Sequence, residues 1–225
     1  MLLLLGCAEP EGEKPPDDTG TPVLRGALSL RWPLTDETLI GQRVGVDHDP
    51  AVYDEGLAAA QCWDYLGRAF PWCYDEHRGS DYLLADGFTA MDAGSTPIVA
   101  AAPGVVVEAE DGNYDRCHAT LDGVDCDGYE MAPNYVAIEH DGGFVTLYYH
   151  MKMDSVAVAV GDEVACGDTL GLVGSSGNSS APHLHVQLED ADGTVIDPYA
   201  GPESQPETWW TEQGDDEGFP GMACG

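Results

Sequence analysis

Positive charge is what this chain of 225 residues has least of. Eight Lys and Arg stand against 41 Asp and Glu, a formal net charge of −33. So acidic a surface repels phosphate backbones, which excludes nucleic acid as a partner. Lysine is confined to Lys14 and Lys152. The chain has no apolar run near the ~20 residues of a membrane-spanning helix, no internal repeat, and no C-x-x-C spacing of the kind zinc-cysteine sites use. The charge reads equally as adaptation to salt, a solubility coat or lineage bias, and its self-repulsion should be screened by salt.

What is present suits one turn-rich β domain with tails: 43% hydrophobic residues and 28 glycines. Residues 1–7, ending Leu5-Gly6-Cys7, resemble the tail of a bacterial lipoprotein signal without its basic start. The expectation is a lipid anchor on Cys7 and a true start further upstream. Six cysteines then remain, an even set that implies disulfides in an oxidising compartment, with 15 possible pairings. Proximity favours Cys62–Cys73 and Cys117–Cys126, which leaves Cys166–Cys224.

Residues 8–24, rich in Pro, Glu, Asp, Gly and Thr, read as a disordered linker. Residues 25–76 read as an N-terminal extension packed on the core, with a short helix over Asp54–Leu66. Strands are expected at Ile98–Ala102, Gly104–Glu110, Tyr135–His140, Phe144–His150, Val156–Val160, Thr169–Val173, His183–Glu189 and Thr194–Asp197. These runs are rich in Val, Ile, Thr and Tyr and separated by Gly or Asp-Gly turns. Asp141-Gly142-Gly143 reads as a hairpin turn. Residues 201–225 form an acidic tail, with Trp209-Trp210 as a packing anchor and Cys224 as a tether.

The chemistry centres on His183-Leu184-His185. Two histidines two apart on a strand point to one face, and imidazole is both the commonest metal ligand and the commonest base near neutral pH. A pair of surface histidines on an edge strand would show the same pattern. His77 and Asp81, at i and i+4, share a face on a helix and on a strand alike, so the pair can chelate in either. His150 closes the run Thr146-Leu147-Tyr148-Tyr149. Tyr148, two residues before it, should share its face and either hold substrate or pack. A catalytic zinc takes three protein ligands and keeps one position open. His140 reads as structural. His118 with Asp115, Asp122, Asp125 and Asp127 is a possible calcium-binding cluster, and Asp47-His48-Asp49-Pro50 is a turn that could approach the metal groove.

The order of these pieces resembles the LytM/lysostaphin family of zinc endopeptidases, which cut peptide bonds in peptidoglycan. Five segments carry the resemblance from His77 to Pro198: His77-x-x-x-Asp81, Ser95 to Val106, Asn134 to His150, Val158 to Gly174, and His183-Leu184-His185 followed by Asp197-Pro198. It implies a metallopeptidase domain over residues 77–200, mainly antiparallel β of the duplicated hybrid type, with the metal on the floor of an open groove. It implies Zn²⁺ on His77, Asp81 and His185, catalytic histidines at His150 and His183, and peptidoglycan as substrate. A monomer in the periplasm or cell envelope is expected, cutting D-amino-acid cross-links rather than pentaglycine bridges. Two stretches depart from the family pattern, the connection Tyr82–Gly94 and the cysteine-bearing insertion Asp111–Pro133. Both are expected to alter groove walls and not the metal site. Two other classes compete. A catalytically silent module that activates another hydrolase is opposed by the intact ligand set. A biotinyl- or lipoyl-type carrier, suggested by Val158 to Gly167, is opposed by the lack of a lysine at its turn.

Overall fold

The computed structural model describes residues 28–51, 61–94, 96–216 and 218–225. The lipoprotein-like segment, the linker and most of the helix expected over Asp54–Leu66 lie outside them. The described part of that helix, residues 61–66, is loop and turn.

The fold is built on one antiparallel sheet. Its path is β1 (Ile40–Val44), β2 (Ser80–Leu84), β11 (His183–Glu189), β8 (Val145–Tyr149), β7 (Tyr135–Glu139), β4 (Gly104–Glu110) and β9 (Glu163–Val164), with β12 (Val195–Ile196) also pairing β11. Two small ladders flank it, β10 (Thr169–Leu172) on β3 (Pro97–Val99) and β5 (His118–Thr120) on β6 (Gly123–Asp125). Among the described residues the one α-helix, α1 (Phe88–Ala93), ends on Gly94 in the left-handed region, where glycine carries no Cβ penalty.

Alternation along the strands sorts the side chains. Tyr82, Val106, Val136, Ile138, Tyr148, Leu184 and Val186 are buried on one face. Burial of each such side chain is worth roughly 1.5–3 kcal/mol. The two chain ends complete this core. Leu30 bridges to Trp210, and Trp32 stacks on Phe219 and meets Tyr82 edge-on. Arg43, 5% exposed, donates to Tyr65 Oη and to the carbonyls of Asp216 and Gly218, so a buried cation joins β1 to the tail. Trp209 and Trp210 are buried as expected of an anchor. All three expected disulfides are present, Cys62–Cys73, Cys117–Cys126 and Cys166–Cys224.

β4 and β11 have the expected bounds, and Gly142 and Gly143 turn the β7–β8 hairpin with φ of 89° and 81°. Two expectations need correction. Val156–Val160 forms no ladder: Ala157 donates to Leu170, but Gly161 at φ 94° turns the chain away before pairing extends. The strand over Ile98–Ala102 stops at Val99, because the next amides leave the ladder. Ala100 N–H donates to Asp168 O and Ala101 N–H to the Tyr148 hydroxyl.

Candidate metal centre

β2 and β11 lie side by side with His185 opposite Asp81, so both side chains rise from the same face. His77 precedes β2 in a loop. The shared-face argument from i and i+4 spacing therefore does not explain its position. Three local contacts do. Its amide donates to Tyr74 O, its carbonyl accepts from Asp47 N–H, and its ring stacks on Tyr74 with centroids 4.1 Å apart.

The result is a buried triad. His77 Nε2 lies 3.1 Å from Asp81 Oδ1 and 3.2 Å from His185 Nδ1, and His185 Nδ1 lies 2.8 Å from Asp81 Oδ1. Among the described residues this is the one group of three or more His, Cys, Asp or Glu that could hold a metal ion. The outward hydrogen bonds support that use. His77 Nδ1–H donates to Gly45 O at 2.6 Å, and His185 Nε2–H meets Gln187 Oε1 at 3.3 Å. The inward nitrogens then carry lone pairs, and three lone-pair atoms converging in a buried space call for a cation. The 3.1 and 3.2 Å spacings are slightly inside the edge of about 3.3–3.4 Å that a tetrahedron with bonds of 2.0–2.1 Å requires, and the 2.8 Å spacing is about half an ångström inside it. Burial opposes ionisation of Asp81, but the surrounding histidines, His77, His183 and His185, outweigh it and hold the carboxyl well below its ordinary value.

His150 and His183 stand beside the triad. Strict alternation would send His150 to the core side, because Tyr149 lies opposite His185. A left-handed φ of 64° breaks the strand at His150 and turns its ring toward His183. Backbone outliers of this kind in non-glycine residues cost energy and gather at functional sites. His150 Nδ1–H donates to Ser176 O and His183 Nδ1–H to Ala181 O, each at 2.7 Å. In both rings Nε2 is left as the base nitrogen. His183 Nε2 is buried without a hydrogen-bond partner, 3.6 Å from Asp81 Oδ1. Burial first, then neighbouring imidazoles, hold His150 well below its ordinary value, and burial also lowers His183. Both rings are neutral bases at physiological pH.

All five expected site residues thus meet in one place. Tyr148 does not join them. It is fully buried and accepts from Ala101 N–H. His140 is structural, bonded to Pro103 O and Thr146 Oγ1. The Asp-rich insertion forms no metal cluster among the described residues. Asp115 and Asp125 accept backbone amides and Asp127 accepts the Tyr114 hydroxyl. The loop of residues 47–50 supplies braces: Asp47 Oδ2 accepts from Glu76 N–H and His48 pairs with Asp197 at 2.8 Å. The insertion touches more than an outer wall, since Cys117 and Ala119 N–H donate to Ser175 and Ser180 in the loop leading to His183.

Sequence reasoning missed Tyr74, Gln187 and Gly79. Gly79 carried a readable signal, its place between His77 and Asp81. A Cβ there would run into the His185 ring and the Val186 carbonyl.

The model of peptidase family M23 matches residues 77–198. The chain belongs to peptidase family M23. Among curated relatives, this M23 chain is 32% identical over 112 residues to peptidoglycan DD-endopeptidase ShyC of Vibrio cholerae, covering 50% of the chain and 20% of that protein. It is 33% identical over 111 residues to lysostaphin of Staphylococcus staphylolyticus, covering 49% of the chain and 18% of that protein. The match therefore spans about a fifth of these relatives' own length. Among solved structures, the SpoIIIAH–SpoIIQ complex contains a similar chain: 21% identity, 76% of this chain, 97% of that one, TM-score 0.50. That likeness concerns the fold.

Proposed function

We propose that this chain is a zinc-dependent endopeptidase that hydrolyses cross-links or stem peptides of peptidoglycan. The observation that carries the reading is the pairing of a buried His77–Asp81–His185 triad with two neutral histidines whose base nitrogens are free. The names of two relatives, a peptidoglycan endopeptidase and lysostaphin, support the substrate class.

His77, Asp81 and His185 would hold the zinc ion, which when bound would supply Lewis-acid chemistry, polarising a peptide carbonyl and acidifying water toward a pKa of about 7. Asp81 would be the one carboxylate among the three residues holding the ion, beside His77 and His185. His150 and His183, kept neutral by burial, take up the proton and return it to the leaving amine. Their carbonyl acceptors, Ser176 O and Ala181 O, also steady each imidazolium once it forms. A substrate carbonyl between the two rings would meet one ring as base, and a ring that has taken up the proton on Nε2 could then donate it to the oxyanion.

An envelope location, periplasmic and anchored through Cys7, accords with the three disulfides. The deciding experiment incubates the zinc-loaded chain with purified sacculi and sequences the released muropeptides. Shortened cross-linked peptides are expected. An unchanged muropeptide profile, with zinc bound, would return the chain to the silent activator reading.

A further inference from the structure

His185, Gln187 and Glu189 alternate along β11 and point to one face. Their hydrogen bonds form a directed chain. Arg78 reaches Glu189 Oε1 at 3.4 Å, Glu189 Oε1 accepts from Gln187 Nε2 at 2.5 Å, and Gln187 Oε1 faces His185 Nε2 at 3.3 Å. Arg78 directly follows His77 in the chain, so the relay starts and ends beside a member of the triad.

The direction follows from chemistry. An ionised carboxylate only accepts, so the Gln187 amide must turn its NH₂ to Glu189 and its oxygen to His185. An amide oxygen also only accepts, so His185 must carry its proton on Nε2. Its lone pair is then on Nδ1, the atom that faces Asp81 and His77. Gln187 is 4% exposed, which leaves little room for water to substitute. The two triad histidines are thus oriented differently. His77 relies on a backbone carbonyl, Gly45 O, which side-chain mutation cannot remove. His185 relies on two side chains.

We propose that Gln187 and Glu189 are positioning residues that fix the tautomer of His185 and so set the affinity of the site for its metal. This rests on the metal reading of the triad, and the test separates the two. Zinc affinity of the full chain is measured by chelator competition. Exchange of the His185 Nε2–H proton is followed in parallel by ¹⁵N-resolved NMR of the zinc-loaded protein.

Gln187→Leu should bind zinc roughly 10–100-fold more weakly, the usual effect of losing such an outer partner. Gln187→Glu keeps an acceptor at the same reach and should restore most of the affinity. Glu189→Gln lets the neighbouring amide flip, so it should weaken binding and speed exchange of the His185 proton while Gln187 remains in place. A purely structural role would not move that proton. Wild-type zinc affinity in Gln187→Leu, or a His185 ring bound through Nε2 in the wild type, overturns the relay alone. A wild-type chain that binds no zinc overturns the metal reading together with it. Should Gln187→Leu fail to fold, the Glu189→Gln exchange rate and the wild-type ring assignment decide the question.

Discussion

His150 and His183 face one another with ring centroids 4.5 Å apart, each donating Nδ1–H to the backbone. Neither ring belongs to the triad, yet both are built to hold the same tautomer. Removal of either should therefore separate chemistry from metal binding. His150→Ala and His183→Ala are expected to keep zinc and lose roughly 10²–10⁴ in rate, whereas His185→Ala should lose the zinc. Elemental analysis beside sacculus hydrolysis checks this. Full zinc occupancy in His185→Ala would refute the ligand assignment.

Gly79→Ala tests the close approach of β11 to the loop before β2. The added methyl meets the His185 ring and a backbone carbonyl, and neither can give way cheaply. A loss of about 1–3 kcal/mol, typical of overpacking, should accompany lowered zinc content. Denaturant unfolding and zinc stoichiometry measure both. A variant as stable and as metal-rich as the wild type would mean the ring has room.

Tyr148→Phe should separate packing from catalysis at a position two residues from His150. The change removes the acceptor of a buried amide, Ala101 N–H. Leaving a buried donor unpaired costs about 1–3 kcal/mol. The expected result is lower stability with kcat and KM for muropeptide cleavage unchanged. A raised KM without a stability loss would place this tyrosine at the substrate after all.

His48 gives a pH signature away from the metal. Burial opposes its charged form, but the hydrogen bond and charge of Asp197, with help from Asp47 and Asp64, outweigh burial and raise its pKa. The folded state thus holds this proton more tightly than the unfolded state does. The stabilisation is complete below the unfolded value of about 6.5 and is lost as pH rises through the folded one. Unfolding free energies measured across that window should fall with pH in the wild type and flatten in His48→Gln. An equally steep fall in the variant would assign the dependence to another group.

The disulfide joining Cys166 to Cys224 spans 58 residues and ties the tail to the loop before β10. Its removal in a Cys166→Ser, Cys224→Ser double variant should cost about 2–4 kcal/mol. Non-reducing peptide mapping of the wild type should recover three linked pairs. Six alkylatable thiols in protein taken from the periplasm would overturn both the pairing and the export reading.

By itself the sequence determined the β class, the bounds of β4 and β11 and the hairpin at Gly142-Gly143, and it singled out five residues, His77, Asp81, His150, His183 and His185, that the structure brings together. These are local facts. Period-two alternation, a turn that needs positive φ, and histidines whose order matches a family are all written within a few residues of chain. Tertiary structure decided which atoms of those residues meet. No spacing rule says that His77 is held by Tyr74 and Gly45. Nor does one say that β1 and β2 pair at the sheet's edge, or that Gln187 faces His185 because Glu189 leaves its amide no other orientation. His150 shows the limit most clearly. Alternation assigns it to the core side, and only the left-handed turn at the end of β8, held by its hydrogen bond to Ser176 some 26 residues away, brings its ring to the side of the His77–Asp81–His185 triad. Such orientations come from long-range hydrogen bonds that must be satisfied once the site is buried, so they exist only when the whole sheet is assembled.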